Sequence, residues 1–348
     1  MIVMLGTGPH GRGRGGSSSA PGLGVGLYGH NGHQIQRLLD GHPRARLVAT
    51  AGVPPRLLPG RLRDDPSVRR YGSLAELLRD PRVDLVSLCS PRRGDQAGDA
   101  VDCLRAGRAV YAEKPAALTE PDLDRILGAA RESGVAFREM AGTAFDQPYL
   151  ALRSLVAAGT IGTVAQIAVQ KSYPYHDGRP YDDEVDGGLI GNAGIHAFRL
   201  IEHAAGQRIT EVTGVCTTSG CPPGRNLTMA ASLTMRCASG AVATATVNYL
   251  NPAGVDRWGN DELRVFGSAG MVEVTAGETR GRLFVGDTDR GRLDAVAPAP
   301  DYFDRFVGHL LDGAPMPLSV DDELHPTRIA IRARQQSAPA PPHREVPA

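Results

Sequence analysis

The sequence predicts two fold classes in series: an α/β half built on a doubly wound parallel sheet, then an α+β half built on a large, mostly antiparallel sheet. Three observations predict this. Short apolar runs alternate with amphipathic helical patterns between residues 23 and 137. From about residue 147, longer β-like runs follow one another through Gly-containing turns. The 348 residues also exceed what one core usually organises, so two domains are expected, 23–146 and 147–335.

Residues 1–22 read as a flexible extension. Gly6-Thr7-Gly8-Pro9-His10-Gly11 spells G-x-G-x-x-G, but a Gly/Arg/Ser tract follows where an anion needs a helix N-terminus, so the match is a decoy. The first strand is Leu23–Tyr28. It runs into Gly29-His30-Asn31-Gly32-His33, and Ile35, Leu38 and Leu39 then share one face of an expected helix that ends at Gly41. Strand, glycine turn and helix in that order form a dinucleotide cradle. Asn31 stands where a second glycine is usual, and Asn is the next-best residue for positive φ. The second strand, 46–51, ends without the acid that usually holds a ribose 2′-hydroxyl. Arg56 follows in the loop and leans the choice toward NADP over NAD. A helix at 73–79, strands at 83–89 and 109–112, helices at 96–106 and 121–133 and a short strand at 135–137 complete the first half.

In the second half a helix at 149–158 precedes β-like runs at 164–173, 209–217, 227–236, 241–250, 262–266 and 271–275. A helix at 189–205 interrupts them, and helices at 302–311 and 321–335 close the fold. The Pro/Ala-rich residues 336–348 are expected to be a disordered tail. Lys+Arg and Asp+Glu both number 38, which argues against a nucleic-acid surface. No apolar run reaches the roughly 18 residues a bilayer span needs. Five cysteines without a C-x-x-C pair or a zinc spacing suggest no metal and a reducing, cytoplasmic setting. The open face of a large sheet implies a homodimer or homotetramer.

Two stretches carry candidate chemistry. In Ala109-Val110-Tyr111-Ala112-Glu113-Lys114-Pro115 an apolar strand ends in an acid, a base and a ring-locked residue, at the sheet edge where α/β proteins bind ligands. In the segment from Asp186-Gly187-Gly188 to Asn192 and His196, the last two residues are four apart, so they share a helix face and can both touch one small polar ligand. Lys171, Tyr173 and Tyr175, at the end of the 164–173 strand, are candidates for lining the substrate side together with His176, Asp177 and Arg179.

Over residues 23–335 the chain resembles the glucose-fructose oxidoreductase / inositol dehydrogenase / rhizopine catabolism protein family of NAD(P)-dependent oxidoreductases. The resemblance rests on the Ser90-Pro91 loop, the run from Ala106 to Pro115, the segment from Gly187 to His196, and Gly267–Gly270. It implies a Rossmann domain followed by a substrate and oligomerisation domain. The cofactor, NAD or NADP, would meet Gly29, His30, Asn31, Gly32, Ser90, Pro91, Glu113, Lys114 and Pro115. It also implies hydride transfer to or from a sugar, inositol or cyclic diol, with Lys114 polarising the substrate oxygen and His196 taking its proton. The Asp usually found four residues before that His is Asn192 here, which orients a hydroxyl but carries no proton. Two alternatives stand beside this: a cofactor-binding sensor without turnover, motivated by Asn192 and the imperfect glycine turn, and a sugar-modifying enzyme that recycles bound NAD.

Overall fold

The computed structural model describes residues 22–255, 258–277, 279–297 and 299–339; the expectations for 1–21 and 340–348 lie outside them. In the first half β1 (Leu23–Tyr28), β2 (Ala45–Ala51), β3 (Arg69–Tyr71), β4 (Leu85–Leu88), β5 (Ala109–Ala112) and β6 (Phe137–Glu139) pair in parallel, in the order β3-β2-β1-β4-β5-β6. Every residue of β4 and β5 is buried, as befits central strands covered on both faces. The crossovers carry α1 (Gly60–Arg63), α2 (Leu74–Leu78), α3 (Gln96–Arg105) and α4 (Glu120–Ser133). Short-range chemistry sets their ends. Ser73 caps α2 by accepting from the Glu76 N–H; Thr119 caps α4 in the same way, and Gly134 closes α4 in the left-handed region.

The helix expected after Gly32 is replaced by consecutive turns over residues 36–41. Ile35 and Leu39 are buried but Leu38 is 41% exposed, so a single turn already buries what the apolar stripe offers. Gly41, at φ +78°, then redirects the chain toward β2.

The second half contains α5 (Tyr149–Ala157), β7 (Val164–Ser172), α6 (Asp183–Asp186), and α7 (Ile195–Arg199), which continues π turns at Ile190–Gly194 and leads into others at Leu200–Ala204. There follow β8 (Ile209–Thr217), β9 (Ala230–Cys237), β10 (Val242–Asn248), β11 (Glu262–Gly267), β12 (Gly270–Thr275), β13 (Arg280–Val285), β14 (Thr288–Arg292), α8 (Tyr302–Asp312), α9 (Val320–Gln336) and β15 (Ser337–Pro339). Among the described residues the sheet has nine strands, in the order β14-β13-β12-β11-β7-β10-β9-β8-β15. β7 runs parallel to β10 and β15 to β8, and the remaining pairs are antiparallel. Residues 337–339 are therefore a strand rather than the start of a disordered tail, because their backbone continues the free edge of β8. Along β9 and β10 buried and exposed residues alternate, so one face packs inward and the other is open. The helix pair α8–α9 returns to the first sheet. Phe303 and Phe306 of α8 pack on Tyr111 of β5, with ring centroids 5.5 and 5.8 Å away. Glu323 of α9 accepts from the backbone N–H of Glu139 at 2.6 Å.

Candidate active site

The strand order reverses between β1 and β4, and that switch point is where an open α/β sheet binds ligands. Beyond it lies a cleft of about 360 Å³. Asn31, Gly32, His33, Arg93, Glu113 and Lys114 line it from the first half. Tyr173, His176, Arg179, Asp186, Asn192 and Trp258 face them from the second.

Glu113 is the pivot. Its carboxylate accepts the His33 backbone N–H at 2.9 Å and lies 3.1 Å from His33 Nδ1. A Cβ on Gly32 would sit 2.7 Å from the Glu113 carboxyl carbon, so only glycine permits this approach, at a φ of +115° that L side chains rarely adopt. Burial pushes the Glu113 carboxyl up, but the His33 hydrogen bond and the Lys114 and Arg93 charges outweigh it and hold the pKa at about 2. Gln96 fixes the strap after β5 by donating to the carbonyls of Glu113 (2.6 Å) and Pro115 (3.1 Å), and the Lys114–Pro115 bond is cis. Arg93 donates to Gln96 Oε1 and, at 2.7 Å, to the carbonyl of Asn31, tying the strap to the glycine turn.

Lys114 is buried and reaches across to the second half. Its Nζ donates to the Asn192 carbonyl (2.8 Å) and to Asn192 Oδ1 (2.6 Å), while Glu113 Oε1 stands 3.7 Å away, beyond hydrogen-bond range. Burial pushes Lys114 down, Glu113 opposes this, and Arg93, Arg199 and Lys171 add to it; the pKa falls to about 8. Asn192 Nδ2 in turn donates to Asp186 Oδ2 at 3.0 Å. The segment comes this close because Gly187, at φ +95°, has no Cβ, which would stand 3.1 Å from the Pro115 ring.

His196 lies one turn past Asn192, half-buried with both ring nitrogens turned inward, its ring 6.5 Å from Tyr173 and nearly perpendicular to it. Neither ring nitrogen has a hydrogen-bond partner among the described residues. Burial, and after it the Lys114 charge, push the imidazole well below its ordinary value, so it is neutral.

The other residues that the sequence singles out divide. Asn31 lies at the cleft and donates to the carbonyls of Pro91 (3.2 Å) and Val185 (2.5 Å), bridging the two halves. His30 is exposed and bonds the Gly52 carbonyl at 2.9 Å; Ser90 is buried and donates to Asp99 at 2.6 Å. Tyr173 lines the cleft, whereas two of its neighbours do not. Lys171 pairs with Asp261 beneath the sheet end, because a buried ammonium needs a carboxylate there. The Tyr175 hydroxyl is drawn away by Tyr181 (2.9 Å) and Arg225 (2.9 Å). Arg93 and Trp258 are cleft residues that the sequence reading does not pick out, and Asp186 opens the candidate segment without being given a role there; Trp258 is the chain's one tryptophan, which is the signal that marks it.

A dinucleotide fits the first half of this site. Gly29 and Gly32 both have positive φ at the carboxyl end of β1, and the cleft begins beside them. The departure is at the pyrophosphate, where no regular helix follows the turn and the His33 N–H is already taken by Glu113. Among the described residues no cluster of three His, Cys, Asp or Glu side chains could hold a metal, and no helix is long and apolar enough to cross a membrane.

Two family models match the chain: the oxidoreductase family with NAD-binding Rossmann fold over residues 3–140, and the GFO/IDH/MocA C-terminal domain over residues 149–273. Myo-inositol 2-dehydrogenase of Thermotoga maritima is 28% identical over 144 residues, which is 41% of this chain and 42% of that protein. Trans-1,2-dihydrobenzene-1,2-diol dehydrogenase of Bos taurus is 30% identical over 149 residues, 42% of this chain and 44% of that protein. Each alignment thus spans less than half of the relative's own length. The crystal structure of an oxidoreductase domain protein from Kribbella flavida superposes with a TM-score of 0.77 at 21% identity, covering 91% of this chain and 97% of that one; it shows the fold.

Proposed function

This chain belongs to the GFO/IDH/MocA family of NAD-binding oxidoreductases, and from that premise we propose that it is a dehydrogenase or reductase acting on a hydroxyl-bearing carbon of a sugar, inositol or cyclic diol. Nicotinamide bound at the switch point supplies the hydride acceptor or donor. The protein binds, orients and moves the proton.

The observation that carries this reading is how Lys114 is held. A neutral amine has two N–H donors and one lone pair, and both donors are satisfied by Asn192 O and Oδ1. The lone pair remains for the substrate hydroxyl proton. A base whose pKa is about 8 is half in that form near neutral-to-alkaline pH, where proton transfer of this kind contributes about 10²–10⁴ in rate. Lys114 then takes the proton as hydride leaves the carbon, and its ammonium form balances alkoxide charge in the reverse direction. This moves the base role from His196, expected from the family pattern, to Lys114. The neutral His196 ring is left to orient the substrate oxygen, since two unpartnered buried nitrogens beside Lys114 suit a hydrogen bond to ligand.

For the cofactor we favour NADP, because β2 ends without an acid and the exposed Arg56 follows it. Fluorescence titration with NADPH and NADH tests this; tighter NADH binding reverses it. For assembly we favour a homodimer or homotetramer through the open face of the nine-stranded sheet, where Val215 and Val242 are 59% and 48% exposed; light scattering reads it directly. The activity itself is tested by initial rates of NAD(P) reduction with myo-inositol, aldohexoses and trans-diols. Turnover that rises through pH 8 in the oxidative direction supports the reading, and a protein that binds neither cofactor ends it.

A further inference from the structure

The second-half wall of the cleft holds a cation that the hydride-transfer chemistry leaves unused. Arg179 is 6% exposed. Its guanidinium lies over the Tyr249 ring at 3.6 Å and 5.9 Å from the Trp258 centroid. Nε and Nη2 both donate to the Pro174 carbonyl, at 3.4 and 3.0 Å. Among the described residues no carboxylate pairs with it, and its side-chain hydrogen bonds go to that one carbonyl. Asp186 lines the same cleft, but its two oxygens are engaged by the Gly188 N–H (2.9 Å) and by Asn192 Nδ2 (3.0 Å).

An unpaired guanidinium is costly to bury, and stacking on an aromatic face offsets only part of that cost. One face is covered by Tyr249 and one edge is capped by Pro174. What is left is a donor edge suited to an oxyanion, shaped for the two oxygens of a carboxylate. We propose that Arg179 receives the carboxylate of the substrate, so that the cleft selects a sugar acid of hexuronate size over the corresponding neutral sugar. A single unpaired cation matches a single negative charge, and the neighbouring Asp186 disfavours the second charge of a phosphate. The inference rests on the proposed role of this cleft as the substrate site, and it adds the class of substrate.

The test compares kcat/KM of the full chain on D-glucuronate and D-galacturonate with that on their methyl esters. A charge-assisted bidentate contact predicts a preference for at least one acid over its ester of about tenfold to a hundredfold. In Arg179→Gln that ratio collapses to within a few-fold, and Arg179→Lys recovers part of it. A merely structural arginine lowers acid and ester alike, which overturns the proposal, as does a wild-type ratio near one. The wild-type comparison needs no variant and so survives a misfolded one. If no sugar is turned over, hydride transfer fails separately, and calorimetric titration of the same acids and esters decides. Acid-selective binding lost in Arg179→Gln upholds the inference, and equal or absent binding removes it.

Discussion

Two lysines, Lys114 and Lys171, stand at the carboxyl ends of strands from different sheets, and both are nearly buried, at 4% and 6% exposure. Their partners set them apart. Lys171 faces the carboxylate of Asp261 and lies 5.1 Å over the Tyr173 ring. Among the described residues Lys114 touches only neutral oxygens of Asn192 within hydrogen-bond range, and its carboxylate neighbour Glu113 is held 3.7 Å off by its own bonds to His33. A carboxylate beside a buried ammonium favours the charged form, whereas an amide oxygen brings no charge to oppose the cost of burial. The difference teaches that burial alone does not mark a proton-transfer group; the chemistry of the nearest acceptor does.

The largest effects break the comparison at either end. Lys114→Ala is expected to lower kcat/KM by about 10²–10⁴ while nicotinamide binding, followed by fluorescence titration, changes only a few-fold. Unchanged turnover assigns the proton step elsewhere. Lys171→Met is expected to act on stability instead. It leaves Asp261 buried without its ammonium and costs about 3–5 kcal/mol in denaturant unfolding, with kcat per folded molecule little altered. A stable but inactive Lys171→Met would make the two lysines functionally alike.

The strap after β5 is readable in the sequence for a local reason: an apolar run bounded by glycine and proline leaves little choice of element, and its last three residues are the chemistry. The same holds for β1 and its glycine turn. The missing helix after Gly32 is not readable, because Ile35, Leu38 and Leu39 have helical spacing whether one turn forms or three. The strands β13 and β14 are hidden because this end of the sheet carries charges such as Arg280 and Asp289 on open positions and Arg282 half-buried, which blur the alternation. Arg93 and Asp186 look like solvated loop residues, since their roles depend on acceptors and donors 62 and 6 positions away in the chain, Asn31 and Asn192. Tyr175 reads as a companion of Tyr173 because their spacing of two suggests one strand face, but the chain leaves β7 at Ser172 and the pattern lapses.

Asn192→Asp sharpens the comparison by giving Lys114 what Lys171 has. A carboxylate in place of the amide oxygen at 2.6 Å favours the ammonium, so the Lys114 pKa is expected to rise from about 8 by about 1–3. The sign for catalysis follows. Less neutral amine is present at a given pH, so the rising limb of the oxidative pH–rate profile moves to higher pH by the same amount. An unmoved limb would mean that a group other than Lys114 titrates there.

The smallest effect is the contribution of Lys114 to stability. Its folded pKa, about 8, lies below the roughly 10.4 of an unfolded lysine. Between those values the unfolded chain binds more protons than the folded one, so this group's contribution to stability rises with pH. The penalty of burying the ammonium is fully present below about pH 8 and is relieved toward pH 10. Buried tyrosines such as Tyr249 act in the opposite sense, because burial pushes their hydroxyls up. The quantity to measure is therefore the difference between wild type and Lys114→Met, in which those other groups cancel. Wild type is expected to gain on the variant by on the order of 2 kcal/mol between pH 7.5 and 10. A flat difference would mean that Lys114 keeps its ordinary pKa in the folded protein.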